Sequence, residues 1–126
     1  MEKLKILLVD DEEDILELIS DLLNEIVPNK TDLARNGKVA LDLTLSNKYD
    51  LIITDYKMPV LNGEEFVKAL RKEQNSATPV IMFSGFIDDK TVAPLHDLPG
   101  FFTFFSKPFK EQQLRQVIAA QLDLDL

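Results

Sequence analysis

Four short stretches of the chain are almost wholly apolar: Leu4 to Val9 (LKILLV), Asp50 to Thr54 (DLIIT), Pro79 to Ser84 (PVIMFS) and Phe101 to Ser106 (FFTFFS). Short apolar runs without strict alternation fit strands covered on both faces, as in a parallel sheet. A fifth stretch, Thr31 to Ala34 (TDLA), is shorter and more polar, which predicts an edge strand. Between these runs the apolar period changes to three and four. Ile15, Leu18, Ile19, Leu22, Leu23 and Ile26 predict a helix with those residues on its buried stripe, closed by Pro28. Val39 to Leu45, and then Phe66, Val67 and Leu70, give weaker helical signals, whereas Leu114, Val117, Ile118 and Leu122 give a clear one. Within FIDDKTVAPLHDLPG (86 to 100), Pro94 is compatible only with a first helical turn, so the fourth of five expected helices is short, late-starting or distorted.

Strand followed by helix, five times over, predicts an α/β fold: a doubly wound, five-stranded parallel sheet with helices on both faces. At 126 residues this is one expected domain, spanning 1–126, with a core large enough to need no disulfide. No apolar run approaches the roughly 18 residues of a membrane span. Lys3 and Lys5 lead into a short apolar run that meets acids, unlike a signal peptide, which predicts a cytoplasmic location. Without cysteine there are neither disulfides nor thiolate metal sites. The net charge of -8 repels nucleic-acid phosphates and acidic membranes and favours a cationic ligand. The chain stops at Leu126, just past the last helical pattern, as expected of a stand-alone domain or of one cut at a boundary.

Ligands of open parallel sheets bind beyond the carboxyl ends of the strands. Those ends carry Asp10 and Asp11 after the first strand, Asp55 after the third, Ser84 after the fourth and Lys107 after the fifth. Each has an ordinary alternative. The acids from Asp10 to Asp14 favour the positive end of a helix, Asp55 and Ser84 suit turns, and a lone Lys is commonly solvated. Their coincidence at successive strand ends points instead to one site. Three adjacent carboxylates repel one another unless a cation lies between them, and hard oxygen donors favour Mg²⁺. The single histidine, His96, reads as a loop or helix-end residue without catalytic work. A carboxylate beside a cation, with an ammonium and a hydroxyl opposite, is equipment for phosphoryl transfer.

LLVDDE (7 to 12), DYKMPVLNG (55 to 63), MFSG (82 to 85) and SKPF (106 to 109) resemble, in order and separation, the motifs of bacterial response-regulator receiver domains. The resemblance implies a flavodoxin-like (βα)5 fold with strand order 2-1-3-4-5 and a switch rather than a metabolic enzyme. Asp55 would accept a phosphoryl group from a histidine kinase or phosphotransfer protein. Mg²⁺ would be held by Asp10, Asp11, Asp55 and the backbone carbonyl of Lys57. Ser84 and Lys107 would each meet a phosphoryl oxygen, Lys107–Pro108 resembles the family's cis bond, and Phe104 matches its aromatic switch position. Downstream, an effector protein would read the phosphorylated state, with a dimer through the last two strand–helix units also possible. Two residues depart from the usual pattern: Ser84 replaces the commoner Thr, and Phe104 lacks the hydroxyl of Tyr.

Met58-Pro59 and Asn62-Gly63 are expected to shape the loop after Asp55, Pro fixing φ and Gly permitting positive φ. Two rival classes are a pseudo-receiver scaffold, opposed by the complete residue set, and a Mg²⁺-dependent phosphatase of the haloacid-dehalogenase type. The latter needs a second Asp two residues after its nucleophile, where this chain has Lys57. A flavin-binding reading fails because DDEED would repel the cofactor phosphate.

Overall fold

The computed structural model describes residues 2–74, 77–84, 102–106 and 110–126, with side chains described at all of these except 73, 84 and 102–106. Its elements are β1 (Leu4–Val9), α1 (Glu13–Ile26), β2 (Asn29–Ala34), α2 (Gly37–Ser46), β3 (Leu51–Asp55), α3 (Gly63–Glu73), β4 (Val80–Ser84), β5 (Phe102–Ser106) and α4 (Glu111–Leu122). The strands form one five-stranded sheet in the order β2-β1-β3-β4-β5, every pair parallel. Strand 2 lies at the edge as predicted, although it begins two residues earlier than the TDLA reading, at Asn29. The expected fourth of five helices, with Pro94 and His96, lies outside the described residues, as do Gly85, Phe86 and Lys107 to Phe109.

The period of two along each central strand divides the core into two layers. Ile6, Leu8, Leu51, Ile53, Ile81 and Phe83 pack against α1 and α4, while Leu7, Val9, Ile52, Val80 and Met82 pack against α2 and α3. This explains why the central strands read as continuous apolar runs: both of their faces are covered. Each fully buried Leu, Ile or Phe contributes about 1.5–3 kcal/mol relative to an exposed one. Across the N-terminal edge of the sheet, the Tyr49 hydroxyl donates to Asp32 Oδ2 at 2.7 Å, and Lys5 Nζ donates to Asn47 Oδ1 while lying 5.5 Å from the Tyr49 ring centre. Burial first, then the Asp32 hydrogen bond and charge, push the Tyr49 phenol well above its ordinary range.

The buried stripe of α1 differs in phase from the sequence expectation. Leu16, Ile19, Leu23 and Ile26 face the core, Ile15 and Leu22 are partly buried against it, and Leu18 is 50% exposed. Leu16 and Leu18 are two residues apart, about 200° around a helix, so both cannot face the sheet. Spacings of three, four and three select Leu16. Leu16→Ala should therefore destabilise the fold by about 2–5 kcal/mol, whereas Leu18→Ala should stay within about 0.5 kcal/mol of wild type. Urea denaturation midpoints of the two variants check this, and equal losses would contradict the assigned phase.

Candidate functional site

Register places the carboxylates. Val9 pairs with Thr54 and Asp55 with Phe83, so Asp10 and Asp55 each stand one residue past the Val9–Thr54 pair on neighbouring central strands. Asp10 is fully buried, Asp55 nearly so and Asp11 partly exposed. One carboxylate oxygen from each of the three lies within 4.8 Å of the other two. At that separation two unit charges repel by roughly 3 kcal/mol per pair at an effective dielectric constant of about 20. A shared cation would relieve such repulsion. Three oxygens on one octahedral Mg²⁺ include at least two cis pairs about 3.0 Å apart, so closure of up to about 2 Å would let these three hold it. The all-oxygen donor set also fits Mg²⁺ rather than zinc.

The backbone around the cluster is fixed from several sides. Asp10 N–H donates to Ala34 O at 3.1 Å, extending the β1–β2 ladder to the carboxylate itself. Asp10 Oδ1 accepts the Glu12 N–H at 2.8 Å, and the first turn of α1 then begins with Glu13 and Asp14. Arg35, just past β2, donates from Nη2 to the carbonyl of Asp11 at 3.1 Å. Next to Asp55, the Thr54 hydroxyl donates to Asp55 O at 3.0 Å and lies 3.9 Å from the sulfur of buried Met58. Tyr56 N–H donates to Phe83 O at 2.9 Å, carrying the β3–β4 ladder past Asp55.

The loop after Asp55 corrects one expectation. Gly63 has no positive φ; it begins α3, and a Cβ there would lie 2.7 Å from Asp55 O and 2.9 Å from Tyr56 Cα. Glycine is needed for close approach, reinforced by the Gly63 N–H to Tyr56 O bond of 2.7 Å. The positive φ, 71°, falls instead on Val60, which is 76% exposed. Leu61 N–H donates to Pro59 O at 2.8 Å, which closes a three-residue γ-turn around Val60. A β-branched residue is strained there. Asn62 then caps α3 in a reciprocal box with Glu65, at 2.8 and 3.0 Å. Gly37 at the start of α2 supports the loop from the other side, since a Cβ there would lie 2.5 Å from Leu61 O.

Of the predicted site residues, Asp10, Asp11 and Asp55 are brought together. Lys57 is exposed in the loop two residues after Asp55. Ser84 ends β4, one residue past the partner of Asp55, and Phe104 pairs with Met82 in β5; the side chains of both lie outside the described residues. Lys107, next in sequence after β5, lies outside them altogether. Sequence reasoning missed Arg35, which no motif marks, and the Asn62–Glu65 box, which an N-x-x-E pattern ahead of Phe66 and Val67 could have disclosed.

Comparison with known proteins gives a consistent result. The family described as "Response regulator receiver domain" matches residues 6–119. The response regulator ArlR of Staphylococcus saprophyticus is 35% identical over 94% of this chain, and the transcriptional regulatory protein CpxR of Escherichia coli is 37% identical over 94%. A protein-glutamate methylesterase/protein-glutamine glutaminase of Desulfotalea psychrophila is 38% identical over 86%. The chain spans 52%, 49% and 30% of these relatives' lengths, respectively. Among solved structures, the signal receiver domain of an HD domain-containing protein from Pseudomonas fluorescens superposes with a TM-score of 0.87, at 29% identity and with 97% and 96% of the two chains covered. The receiver domain of Francisella response regulator 1452 superposes with a TM-score of 0.83, at 31% identity and with 96% and 98% covered.

Two substitutions test the electrostatics and the strain separately. Without metal, Asp11→Asn should raise stability by about 1 kcal/mol by removing one of three repelling charges, and should abolish the Mg²⁺-induced rise in melting temperature expected of wild type. A wild type indifferent to Mg²⁺, with a variant no more stable, would refute the shared cation. Val60→Asn should raise stability by about 1 kcal/mol, because Asn tolerates the left-handed region. A higher urea midpoint with an unchanged slope is the expected reading.

Proposed function

The chain belongs to the receiver-domain family of response regulators, and from that premise we propose that it is a phosphorylation switch whose acceptor is Asp55. The observation that carries this reading is the position of Asp55 at the carboxyl end of a central strand, with carboxylate oxygens of Asp10 and Asp11 within 4.8 Å. In the proposed reaction an Asp55 oxygen attacks the phosphorus of a phosphohistidine in line. The new O–P bond forms as the donor's N–P bond breaks, and the departing imidazole nitrogen regains a proton. Asp55 is thereby both nucleophile and product, so the chain turns over no metabolite.

Asp10, Asp11, Asp55 and the carbonyl of Lys57 would hold Mg²⁺, which when bound supplies the positive charge that offsets the phosphoryl oxygens. Pairing of Thr54 with Val9 on one side and the Tyr56 N–H to Phe83 O bond on the other fix the backbone that carries Asp55. Asp10 is held by the Glu12 N–H, and Asp11 by the Arg35 grip on its carbonyl. Lys107 would pair with a second phosphoryl oxygen and Ser84 would donate to a third. Movement of Ser84 toward the phosphoryl group would let Phe104 turn inward, shifting a pre-existing equilibrium. The altered surface around the last two strands would then be read by an effector protein or a second copy of the chain. A histidine kinase or phosphotransfer protein is the proposed donor, and the cytoplasm the proposed compartment. Among the described residues no helix is long and apolar enough to cross a membrane.

Intact-protein mass after incubation with acetyl phosphate tests the chemistry. One phosphoryl adduct is expected, dependent on Mg²⁺ and absent from Asp55→Asn. No adduct with acetyl phosphate or with a phosphorylated kinase domain would leave the scaffold reading instead.

A further inference from the structure

The β1–α1 turn carries two of the three clustered carboxylates, Asp10 and Asp11, and leads into a helix whose N-cap residue, Glu12, makes no side-chain capping bond. The end of β2 holds this turn instead. Val9 pairs with Ala34, whose carbonyl accepts the Asp10 N–H, so residue 35 lies beside the turn. Its root is fixed on the other side by Asn36, which caps α2 by accepting the Val39 N–H at 2.8 Å. Exposed Arg35 lines the same groove as Glu13, Glu17 and Asp21, yet among the described residues it forms no ion pair. Its Nη2 donates to the Asp11 carbonyl at 3.1 Å. That carbonyl belongs to the same peptide group as the Glu12 N–H, which donates to Asp10 Oδ1 at 2.8 Å. Guanidinium, peptide and buried carboxylate thus form one hydrogen-bonded chain.

We propose that Arg35 is a positioning residue for the cation site, acting on Asp10 and Asp11 together through the Asp11–Glu12 peptide. This rests on the reading of Asp55 as acceptor beside a cation held by the three carboxylates. A charged donor at the carbonyl polarises the peptide and strengthens what its N–H gives to Asp10, because hydrogen bonds in series reinforce one another. It also fixes the tilt of the peptide plane, which sets the direction in which the Asp11 side chain leaves the turn. Both carboxylates are then oriented before a cation arrives, so less freedom is lost on binding. A guanidinium serving only as counter-charge would sit against a carboxylate, and Arg35 instead reaches a neutral carbonyl although acidic side chains line the same groove. The two roles also differ in sign. A bare positive charge repels incoming Mg²⁺, so its removal would tighten binding at low salt and change little once salt screens it. Loss of a positioning bond weakens binding at any salt.

The test compares the full ¹⁵N-labelled chain as wild type, Arg35→Met and Lys38→Met, the last removing one positive charge from α2, where Lys38 pairs with Asp42 at 2.7 Å. Both positions are exposed, so unchanged urea midpoints are expected. Without metal, the Glu12 amide proton should move upfield in Arg35→Met as its bond to Asp10 weakens, and stay in place in Lys38→Met. Titration with Mg²⁺ should give a dissociation constant about fivefold weaker for Arg35→Met, or about 1 kcal/mol at about 1.4 kcal/mol per tenfold. The loss should be the same at about 0.1 M and about 0.5 M salt. With acetyl phosphate, the Mg²⁺ concentration giving half the maximal rate should rise by that factor, while the rate at saturating Mg²⁺ stays within about twofold of wild type. An unmoved Glu12 resonance, unchanged affinity, equal weakening in Lys38→Met, or tighter binding confined to low salt would overturn the proposal and leave Asp55 as acceptor. A wild type that neither binds Mg²⁺ nor takes up a phosphoryl group would overturn the functional reading, and this proposal with it.

Discussion

Three carboxylates with oxygens within 4.8 Å of one another are a configuration a chain would avoid if left free. Much of the molecule can be read as the means of holding them there. Adjacent central strands end in step, so Asp10 and Asp55 emerge side by side. The two apolar layers make that register costly to change, because a one-residue slip would exchange the side chains of β1 and β3 between two differently packed layers. Ladder bonds from Asp10 to Ala34 and from Tyr56 to Phe83 continue past the strand ends and hold the backbone rigid where the charges crowd. That repulsion is what a cation bound among the three would relieve.

The loop after Asp55 belongs to the same economy of strain. Gly63 brings the start of α3 against the backbone of Asp55 and Tyr56, Gly37 lets Leu61 sit on α2, and Val60 takes the positive φ that closes the turn. Strained backbone persists where the surroundings over-determine it, and here it is clamped by the Asn62–Glu65 box on one side and by buried Met58 on the other. The carboxylates and the loop behind them are therefore built as one unit. Arg35 ties that unit to the end of β2, its guanidinium reaching the Asp11 carbonyl.

The architecture and the three carboxylates were legible in the sequence because both depend on strong local signals. Uninterrupted apolar runs mark strands covered twice, and charges that follow such runs mark strand ends. What the sequence concealed depends on phase and on distant contacts. Seven apolar residues on α1 offered two overlapping stripes, and only the sheet beneath decides for Leu16 over Leu18. Glycine after Asn suggested positive φ, yet Gly63 is needed for proximity while Val60 carries the φ. Arg35 acts across 24 residues through a backbone carbonyl, an interaction that leaves no motif.

The shared cation is the claim on which the rest turns, and diffraction from crystals soaked in Mn²⁺ addresses it most directly. Manganese accepts the same hard oxygen donors as magnesium and scatters anomalously. The account predicts one strong anomalous peak bound by carboxylate oxygens of Asp10, Asp11 and Asp55, and its loss in Asp11→Asn. A strong peak elsewhere, with none among these three carboxylates, would contradict it.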